Sequence, residues 1–462
     1  MVKGGVACAV AMLGALAWGA GLFAQSGAEH LVAPGRLEGR PPSDRASSLQ
    51  HRVDAAAPGS TIEVAAGIYD GDLVLDRPLH LIGRGRPLLR GSGAGSVVLI
   101  RADGVTLEGF DIDGRGGGDL GRDSSGVHIA ARNAVVRDCR IARALFGVYL
   151  LEAHGTIVEG CRIRGIPGKD PGEKGSGIHL FNTQRFRLTE NEVVDARDAI
   201  YLQNSSNGFI RGNRARDMRY GLHYMFSDDN VFEDNVFENG AAGSAIMYSE
   251  RIVFRRNQFV HNRGFASVGL LLQQCDDVLA ESNLIADNAR GIFLEGTQRV
   301  TFRGNIVAKS DAAIVAFDSS SATRFEGNSF VGNMTPLLLV GKRLDAAFVA
   351  NYWSGHAGPD LDGDGRTERP YRLTSVFDHL RGNLTAADLY VDGFAGTALS
   401  LAETAFPVLD PVKVVEAAPL ASPPSLPDVP RGRPGGSQRN YGGLGASACV
   451  LVLGLWVLRA SR

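Results

Sequence analysis

The feature that most constrains this chain is a short pattern that recurs about every 22 residues from Gly126 to Trp353. Each copy opens with a small residue and an aliphatic one, and apolar residues then alternate with other residues. Such a period is typical of repeat folds, and the alternation is that of β-strands. The pattern predicts an all-β fold, a right-handed parallel β-helix of ~22-residue coils. The openings are Gly126-Val127, Gly147-Val148, Gly177-Ile178, Ala199-Ile200, Gly221-Leu222, Ala245-Ile246, Gly269-Leu270, Gly291-Ile292 and Ala313-Ile314.

A second landmark follows each opening, and it is an asparagine in most copies. Its members are Asn191, Asn213, Asn235, Asn257, Asn283, Asn305, Asn328 and Asn351, with Cys139 and Cys161 at the same place in the first two copies. Asparagine tolerates left-handed backbone angles at a corner, and its amide both donates and accepts along a stack. We therefore interpret this column as part of the scaffold, with no role in chemistry.

The amino-terminal region has the pattern of an exported protein. Lys3 precedes an apolar run from Val6 to Phe23 and then small residues, which predicts a cleaved signal peptide at residues 1–26. A short helix beginning at Ser48 is expected to cover the open end of the first coil. The β-helix itself is predicted to occupy residues 47–373, with its first strand near Thr61.

The carboxy-terminal region divides into three predicted parts. Residues 374–406 lose the strand alternation and are expected to form a helical cap, and residues 407–440 are expected to form a Pro-rich linker. Residues 441–458 are apolar and uncharged, which makes them a candidate membrane anchor with the β-helix outside the cytoplasm. A sorting tail cleaved near Gly435-Gly436 and a buried terminal hairpin are the alternatives.

Charge and cysteine content exclude two classes of protein. The formal net charge is -2 and no basic patch is interleaved with aromatic residues, so nucleic-acid binding is not expected. Five cysteines do not form the pattern of a disulfide framework. Cys139 and Cys161 would lie on adjacent coils, where a bridge is geometrically feasible but two buried thiols are the favoured interpretation.

The outward face of the opening strands carries the candidate metal ligands. His223 and Met225 alternate on one strand, and Met247 is expected one coil away, about 4.8 Å between strands. Two thioethers and an imidazole favour Cu(I) over zinc, calcium or magnesium. His128 and His179 on the same face are secondary candidates for copper. The alternative is an apolar face covered by a loop or by the cap.

An acidic loop follows the last repeat. Asp360, Asp362, Asp364 and Glu368 occupy positions 1, 3, 5 and 9 of a pattern that resembles a calcium loop. Tyr371 stands where the bidentate glutamate of such a loop is expected. The sequence therefore leaves bound calcium and a simple Asp-Gly turn as two open interpretations.

Enzymes that act on acidic polysaccharides share this architecture and use paired carboxylates on one outer face. The adjacent pairs Asp228-Asp229 and Asp276-Asp277 are predicted at corners, where carboxylates are mostly solvated. The outward face of the opening strands is predicted to carry no aspartate, with Glu295 as its only acidic residue. We therefore predict no catalytic residues, and a carbohydrate-binding or polysaccharide-modifying β-helix is the alternative function.

Several segments resemble known families. Residues 48–83 are similar to the carbohydrate-binding and sugar-hydrolase type of β-helix, with Ala57-Pro58-Gly59-Ser60-Thr61-Ile62 as the clearest stretch. The end of the repeat resembles the NosD family, the periplasmic maturation proteins of nitrous oxide reductase, across roughly residues 47 to 415. The segments that carry this resemblance are Asn351-Tyr352-Trp353-Ser354, Asp360-Leu361-Asp362-Gly363-Asp364-Gly365, Pro370-Tyr371-Arg372, Ser375-Val376-Phe377-Asp378-His379-Leu380 and Ala405-Phe406-Pro407-Val408-Leu409-Asp410-Pro411-Val412.

The NosD resemblance implies a periplasmic accessory protein and no enzymatic activity. Proteins of this type work with an ABC transporter that comprises a membrane permease and an ATPase. They receive copper from a lipoprotein chaperone and support assembly of the copper sites of nitrous oxide reductase. Members are described as soluble periplasmic proteins, so the apolar carboxy-terminal run, with its implied tether to the inner membrane, departs from the family.

Overall fold

The computed structural model describes residues 48–264, 267–384 and 414–430. These residues form the predicted parallel β-helix, in which coils about 22 residues long stack through parallel pairing of strands. Each coil contributes up to three strands, so the stacked strands form three columns. Two short 3-10 helices, Leu120–Arg122 and Pro171–Glu173, interrupt the loops that precede first-column strands.

The first and second columns form one sheet of 23 strands, because two strands of 14 residues run through the corner between them. These two strands are Ala242–Arg255 (β24) and Val268–Glu281 (β26). The first column also contains Leu73–Leu75 (β3), Val98–Ile100 (β6), Ser125–Ile129 (β9), Phe146–Leu151 (β12), Ile178–Phe181 (β15), Asp198–Gln203 (β18), Tyr220–Met225 (β21), Arg290–Glu295 (β28), Ala312–Phe317 (β31) and Thr335–Val340 (β34). The second also contains Thr61–Ala65 (β1), His80–Arg84 (β4), Thr106–Glu108 (β7), Val135–Arg137 (β10), Ile157–Glu159 (β13), Arg187–Thr189 (β16), Phe209–Arg211 (β19), Val231–Glu233 (β22), Thr301–Arg303 (β29), Thr323–Glu326 (β32) and Ala346–Val349 (β35).

The third column is a separate sheet of 13 strands. Its strands are Ile68–Asp70 (β2), Leu88–Arg90 (β5), Asp111–Asp113 (β8), Arg140–Ala142 (β11), Arg162–Arg164 (β14), Glu192–Val194 (β17), Arg214–Arg216 (β20), Val236–Glu238 (β23), Gln258–Val260 (β25), Leu284–Ala286 (β27), Ile306–Ala308 (β30), Ser329–Val331 (β33) and Tyr352–Trp353 (β36). A two-stranded antiparallel sheet, Tyr371–Arg372 (β37) with Val415–Glu416 (β38), lies beyond the last coil.

The core is the interior of the coil, where alternate strand residues from all three columns meet. Successive coils bring like residues together, and the rings of Phe302 and Phe325 stack with centroids 5.0 Å apart. Phe330 and Trp353 stack in the same way at 4.0 Å. Burial of such rows of apolar side chains is the main term that favours folding of the coil.

The asparagine column forms a continuous hydrogen-bonded ladder inside the coil. From Asn191 to Asn351 each side-chain amide donates to the carbonyl oxygen of the next asparagine side chain at 2.9–3.1 Å. These side chains are buried, so each corner satisfies its polar groups without water. The scaffold interpretation fits this ladder, but its conformational reason was wrong. The left-handed residue precedes the asparagine, as with Asp234 (φ 55°) before Asn235.

Helices lie at both ends of the coil. Ser48–Ala55 (α1) buries Leu49 and Val53 against the first coil, as the sequence predicted for an amino-terminal cap. Val376–Asn383 (α2), within the predicted carboxy-terminal cap, packs on β34, where the Arg381 guanidinium donates to the Thr335 hydroxyl at 2.6 Å.

Residues 414–430, inside the predicted linker, lie against the end of the coil. The Leu420 amide donates to the Asn351 carbonyl at 2.8 Å, and the Thr367 amide donates to the Pro419 carbonyl at 2.8 Å. The Glu416 carboxylate is buried and accepts the Trp353 indole N–H at 2.6 Å and the Asn351 backbone N–H at 2.7 Å. This carboxylate therefore ends the asparagine ladder.

Other terminal predictions concern residues outside the described part of the chain. They include the signal peptide at 1–26, residues 385–406 of the cap, the linker outside 414–430, and the candidate anchor at 441–458. Within the described ranges, neither helix has the length and apolar character that a membrane span requires.

Candidate metal centre

Five rings on the outward face of the first column are register partners from coil to coil. The series runs His128, Tyr149, His179, Tyr201 and His223, and we call it the ring column. The first four rings stack nearly parallel, with centroids 4.3–5.1 Å apart and planes within 22°. His223 departs from this stack, because its ring meets Tyr201 edge-on at 88°.

A buried carboxylate explains the orientation of His223. Asp198, the first residue of β18, accepts from Nδ1 of His223 at 3.1 Å and from Nε and Nη2 of Arg219 at 2.9 and 2.7 Å. Burial alone would raise the pKa of Asp198, but hydrogen bonds from His223 and Arg219, together with the charge of Arg219, outweigh it and hold that pKa below its usual range. In the neutral ring, Nδ1–H therefore points at the carboxylate and Nε2 keeps its lone pair.

The free nitrogen of His223 is in a position to accept a further partner. Its Nε2 is buried and has no hydrogen-bond partner among the described residues. A metal-bound histidine normally donates its other ring N–H to a carboxylate or carbonyl, which fixes the tautomer and the ring orientation. Asp198 supplies that second contact, so the imidazole has the arrangement of a ligand.

The predicted register of Met247 is wrong. Met247 pairs with Met225, and Ala245 pairs with His223, two residues away from the expected alignment. The coil opens at Gly243, where a Cβ would lie 2.6 Å from the Gly269 carbonyl oxygen. Ser244 then takes the inward position that is aliphatic in the other openings, and its hydroxyl donates to the Gly269 carbonyl at 3.3 Å.

The corrected register makes Met225 and Met247 direct neighbours, and we call them the Met pair. Their strands are adjacent at about 4.8 Å, and His223 is two residues before Met225 on the same face of β21. Met225, Met247 and His223 are 6, 8 and 5% exposed. The three side chains are therefore buried, although they are on the outward face of their strands.

The Met pair is outside the coil interior despite its burial. It belongs to a small apolar cluster that is separate from the core, formed by Met225, Ala242, Ala245, Met247, Val268 and Leu271. Soft thioether sulfurs in a dry apolar setting beside an oriented imidazole suit a soft monovalent ion. The register neighbours of the Met pair on the preceding and following coils are Gln203 and Gln273, so the two thioethers lie between two amide side chains.

His128 and His179 have surroundings that differ from those of His223. Burial lowers the pKa of His128 to about 4, so the ring is neutral at physiological pH. His179 lies between Tyr149 and Tyr201 in the ring column, and the edge of Phe146 also contacts it. The residues two positions after them in the sequence are Ala130 and Phe181, whose side chains offer no metal-binding atom.

Three carboxylates of the acidic loop lie close together. Oxygens of Asp360, Asp362 and Glu368 are within 4.8 Å of one another, and all three side chains are exposed. Asp360 accepts the backbone N–H groups of Gly363 and Gly365, at 2.8 and 3.0 Å. Such bonds stabilise a turn without a metal, so calcium in this loop, including the fourth expected ligand Asp364, stays a prediction.

The carboxylate pairs at the corners form ion pairs with arginines. Arg251 contacts Asp229 at 2.7 Å, and Arg299 contacts Asp277 at 2.7 Å. Asp198 and Arg219 were not predicted from the sequence, because they lie just before the repeated openings Ala199-Ile200 and Gly221-Leu222. Both oxygens of Asp198 are engaged and its pKa is low, so it is poorly suited to take up a proton as a general base.

The family comparison and the comparison with curated proteins give matches of the same description, NosD. Residues 164–360 match the family model described as periplasmic copper-binding protein (NosD), and residues 89–229 match a right-handed β-helix model. A probable ABC transporter binding protein NosD from Stutzerimonas stutzeri is 29% identical over 78% of this chain and 86% of its own length. A protein of the same description from Pseudomonas aeruginosa is 28% identical over 78% of this chain and 88% of its own length.

Solved structures support the architecture. A double mutant of the periplasmic alginate epimerase AlgG superposes with a TM-score of 0.50 at 12% identity, covering 64% of this chain and 84% of that one. At this identity the likeness shows the fold alone. The family model and the two curated relatives agree over most of the repeat, and the chain is therefore similar to proteins of the NosD family.

Proposed function

We propose that this protein binds Cu(I) in the periplasm and passes it on, with Nε2 of His223 and the sulfurs of Met225 and Met247 as ligands. The observation that carries the proposal is the buried, unpartnered Nε2 of His223 beside the Met pair. One imidazole and two thioethers form a neutral, soft ligand set that favours Cu(I). Asp198 keeps the imidazole in the required tautomer.

The same ligand set suits release as well as binding. None of the three proposed ligands carries a charge, and the Asp198 carboxylate is already balanced by Arg219. Thiolates would hold Cu(I) more tightly, but the thiol of nearby Cys275 belongs to the coil interior, where burial raises its pKa to about 12. A site of thioethers and imidazole therefore holds copper in a form that a protein with stronger ligands can remove.

The names of the relatives support the cellular setting of this proposal. The matching family is described as periplasmic and copper-binding, and both relatives are described as binding proteins of an ABC transporter. We propose that the chain receives Cu(I) from a lipoprotein chaperone and works with the permease and ATPase of such a transporter. Its cargo would serve the assembly of the copper sites of nitrous oxide reductase.

A competition titration of the purified protein with the Cu(I) chelator bicinchoninate tests the ligand set. Replacing Met225 or Met247 with leucine removes one sulfur and preserves volume, so each variant should bind Cu(I) at least about tenfold more weakly while remaining folded. Met334→Leu is the control, because Met334 is an exposed methionine. Equal affinity of the wild-type protein and both Met-pair variants would refute the assignment.

A further inference from the structure

A column of left-handed corner residues follows the first-column strands. Its members are Glu152, Asn182, Asn204, Phe226, Tyr248, Gln274 and Gly296, all with φ between 49 and 62°. Glycine and asparagine adopt this conformation readily, whereas a bulky side chain in it is uncommon and strained. Two consecutive coils nevertheless place a phenylalanine and a tyrosine there.

These two rings, which we call the aromatic corner, face solvent together. Phe226 is 50% exposed and Tyr248 is 45% exposed. The rings stack with centroids 5.1 Å apart and planes within 15°. Backbone strain and solvent-exposed aromatic area both oppose folding, so a function outside the fold is the simplest reason for both.

The position of the aromatic corner connects it to the candidate metal centre. Phe226 directly follows Met225, and Tyr248 directly follows Met247. A molecule that contacts both rings would therefore lie at the corner that directly follows the two proposed sulfur ligands.

Negative charge borders the aromatic corner. The acidic patch begins two residues after each ring and continues onto the next coil, with carboxylates from Asp228, Asp229, Glu250, Asp276 and Asp277. Within the part of the chain that the structure describes, this patch makes ion pairs with Arg251 and Arg299 alone, so five carboxylates face two guanidiniums. The border therefore keeps a net negative charge and attracts a cationic surface.

We propose that the aromatic corner and its acidic patch are the docking site for a protein partner that exchanges copper with the Met pair. The partner would present an apolar side chain bordered by lysine or arginine, because aromatic residues dominate binding energy and border charges guide association. The role in copper exchange rests on the proposed function. The docking site itself does not depend on it.

Photo-crosslinking in cells that make the protein identifies the partner. Tyr248 is replaced by p-benzoyl-phenylalanine in the full chain, which keeps an aromatic ring at the site. We expect one main protein adduct whose crosslinked peptide contains an apolar residue next to lysine or arginine. Adducts only with a second copy of this chain or with polysaccharide, or no adduct, would contradict the proposal.

Binding of the purified partner then tests the role of the rings. Phe226→Asn combined with Tyr248→Asn introduces the residue found at this corner in the two preceding coils, so the midpoint of thermal unfolding should be equal or higher. The same variant should bind the partner at least about tenfold more weakly, while Met334→Asn, at another exposed apolar residue, should bind normally. Unchanged binding by the double variant would overturn the proposal.

Two further measurements separate the docking site from the copper assignment. The double variant keeps His223, Met225 and Met247, so its Cu(I) affinity against bicinchoninate should match that of the wild-type protein, and only Cu(I) exchange with the partner should slow. Partner binding should also weaken as salt increases, because salt screens the acidic patch. If partner binding is lost in the double variant but wild-type protein does not bind Cu(I), the proposed function fails and the docking site stands.

Discussion

At the scale of single residues, His223 shows how a buried ion pair prepares a side chain for binding. Asp198 holds its Nδ1 at 3.1 Å, and Arg219 holds Asp198 with two further hydrogen bonds. This leaves Nε2 of His223 buried and without a hydrogen-bond partner among the described residues. The arrangement is prepared before any ligand arrives, so little ordering is required when a ligand binds.

Asp198→Asn is expected to weaken Cu(I) binding without removing a proposed ligand. The amide cannot fix the imidazole in one tautomer as firmly as the carboxylate does, and loss of such an outer contact typically costs 10–100-fold in metal affinity. The chelator titration measures the change. Asp229→Asn is the control, since Asp229 forms a comparable pair with Arg251 at an exposed corner. An affinity equal to that of the wild-type protein would mean that Asp198 serves the fold alone.

His128 gives a prediction for the dependence of stability on pH. Its pKa falls from 6.5 to about 4 on folding, because burial disfavours the charged ring. As the pH falls, the unfolded chain therefore takes up this proton at a higher pH than the folded chain does. The free energy of unfolding decreases as the pH falls from 6.5 toward 4. The loss should approach about 3 kcal/mol in the unfolding free energy.

Denaturant unfolding of the wild-type protein and His128→Phe between pH 7 and pH 4 isolates this contribution. As the pH falls, the unfolding free energy of the wild-type protein should decrease more than that of His128→Phe. A difference that stays constant over this range would show that His128 titrates normally in the folded protein.

At the scale of elements, the asparagine ladder joins neighbouring coils through buried hydrogen bonds. The Oδ1 of Asn257 accepts both the backbone N–H and the side-chain amide of Asn235, at 3.1 and 2.9 Å. Its own amide donates to the Phe232 carbonyl at 2.9 Å. Removing one ladder side chain therefore leaves several buried groups without partners at once.

Asn257→Ala should lower the unfolding free energy by roughly 2–4 kcal/mol, since each buried group left unsatisfied costs about 1–3 kcal/mol. Denaturant unfolding measures the change. Asn204→Gly is the control, because Asn204 is an exposed left-handed corner residue that glycine replaces without strain. If both variants lost the same unfolding free energy, the ladder asparagines would contribute no more to stability than the exposed corner residues, which would contradict this account.

The sequence predicted the repeat, its strands and its capping helix because each depends on short-range periodicity. The predicted register was wrong at the sixth opening. Ser244 occupies the inward position there, and Ala245-Ile246 has the small-then-aliphatic sequence of an opening without being one. The prediction also missed Asp198 and Arg219, which no apolar alternation marks. The burial of the Met pair depends on packing across several coils, and the spacing of residues in one strand does not determine it.

At the scale of the whole molecule, the β-helix has two open ends that require covering, since an exposed end would invite pairing with other chains. Helix α1 covers the first coil. At the far end Glu416 supplies the acceptor that the next asparagine of the ladder would have supplied. Burial raises the pKa of Glu416, and its bonds to Trp353 and Asn351 partly offset that rise.

Glu416→Ala should destabilise the end of the β-helix and spare its beginning. The Trp353 indole and the Asn351 amides lose their acceptor, so the last coils should open more often. Hydrogen exchange should accelerate in residues 328–353 and remain unchanged in residues 61–113. Uniform acceleration along the chain would instead indicate that the coils unfold as one unit.

The central claim is that one imidazole and two thioethers bind Cu(I) on the outward face of the first column. X-ray absorption spectroscopy at the copper K-edge of the Cu(I)-loaded protein tests it most directly. The account predicts a nitrogen and two sulfur neighbours, with one sulfur lost in Met225→Leu and one in Met247→Leu. A copper environment without sulfur, or one that neither substitution changes, would contradict it.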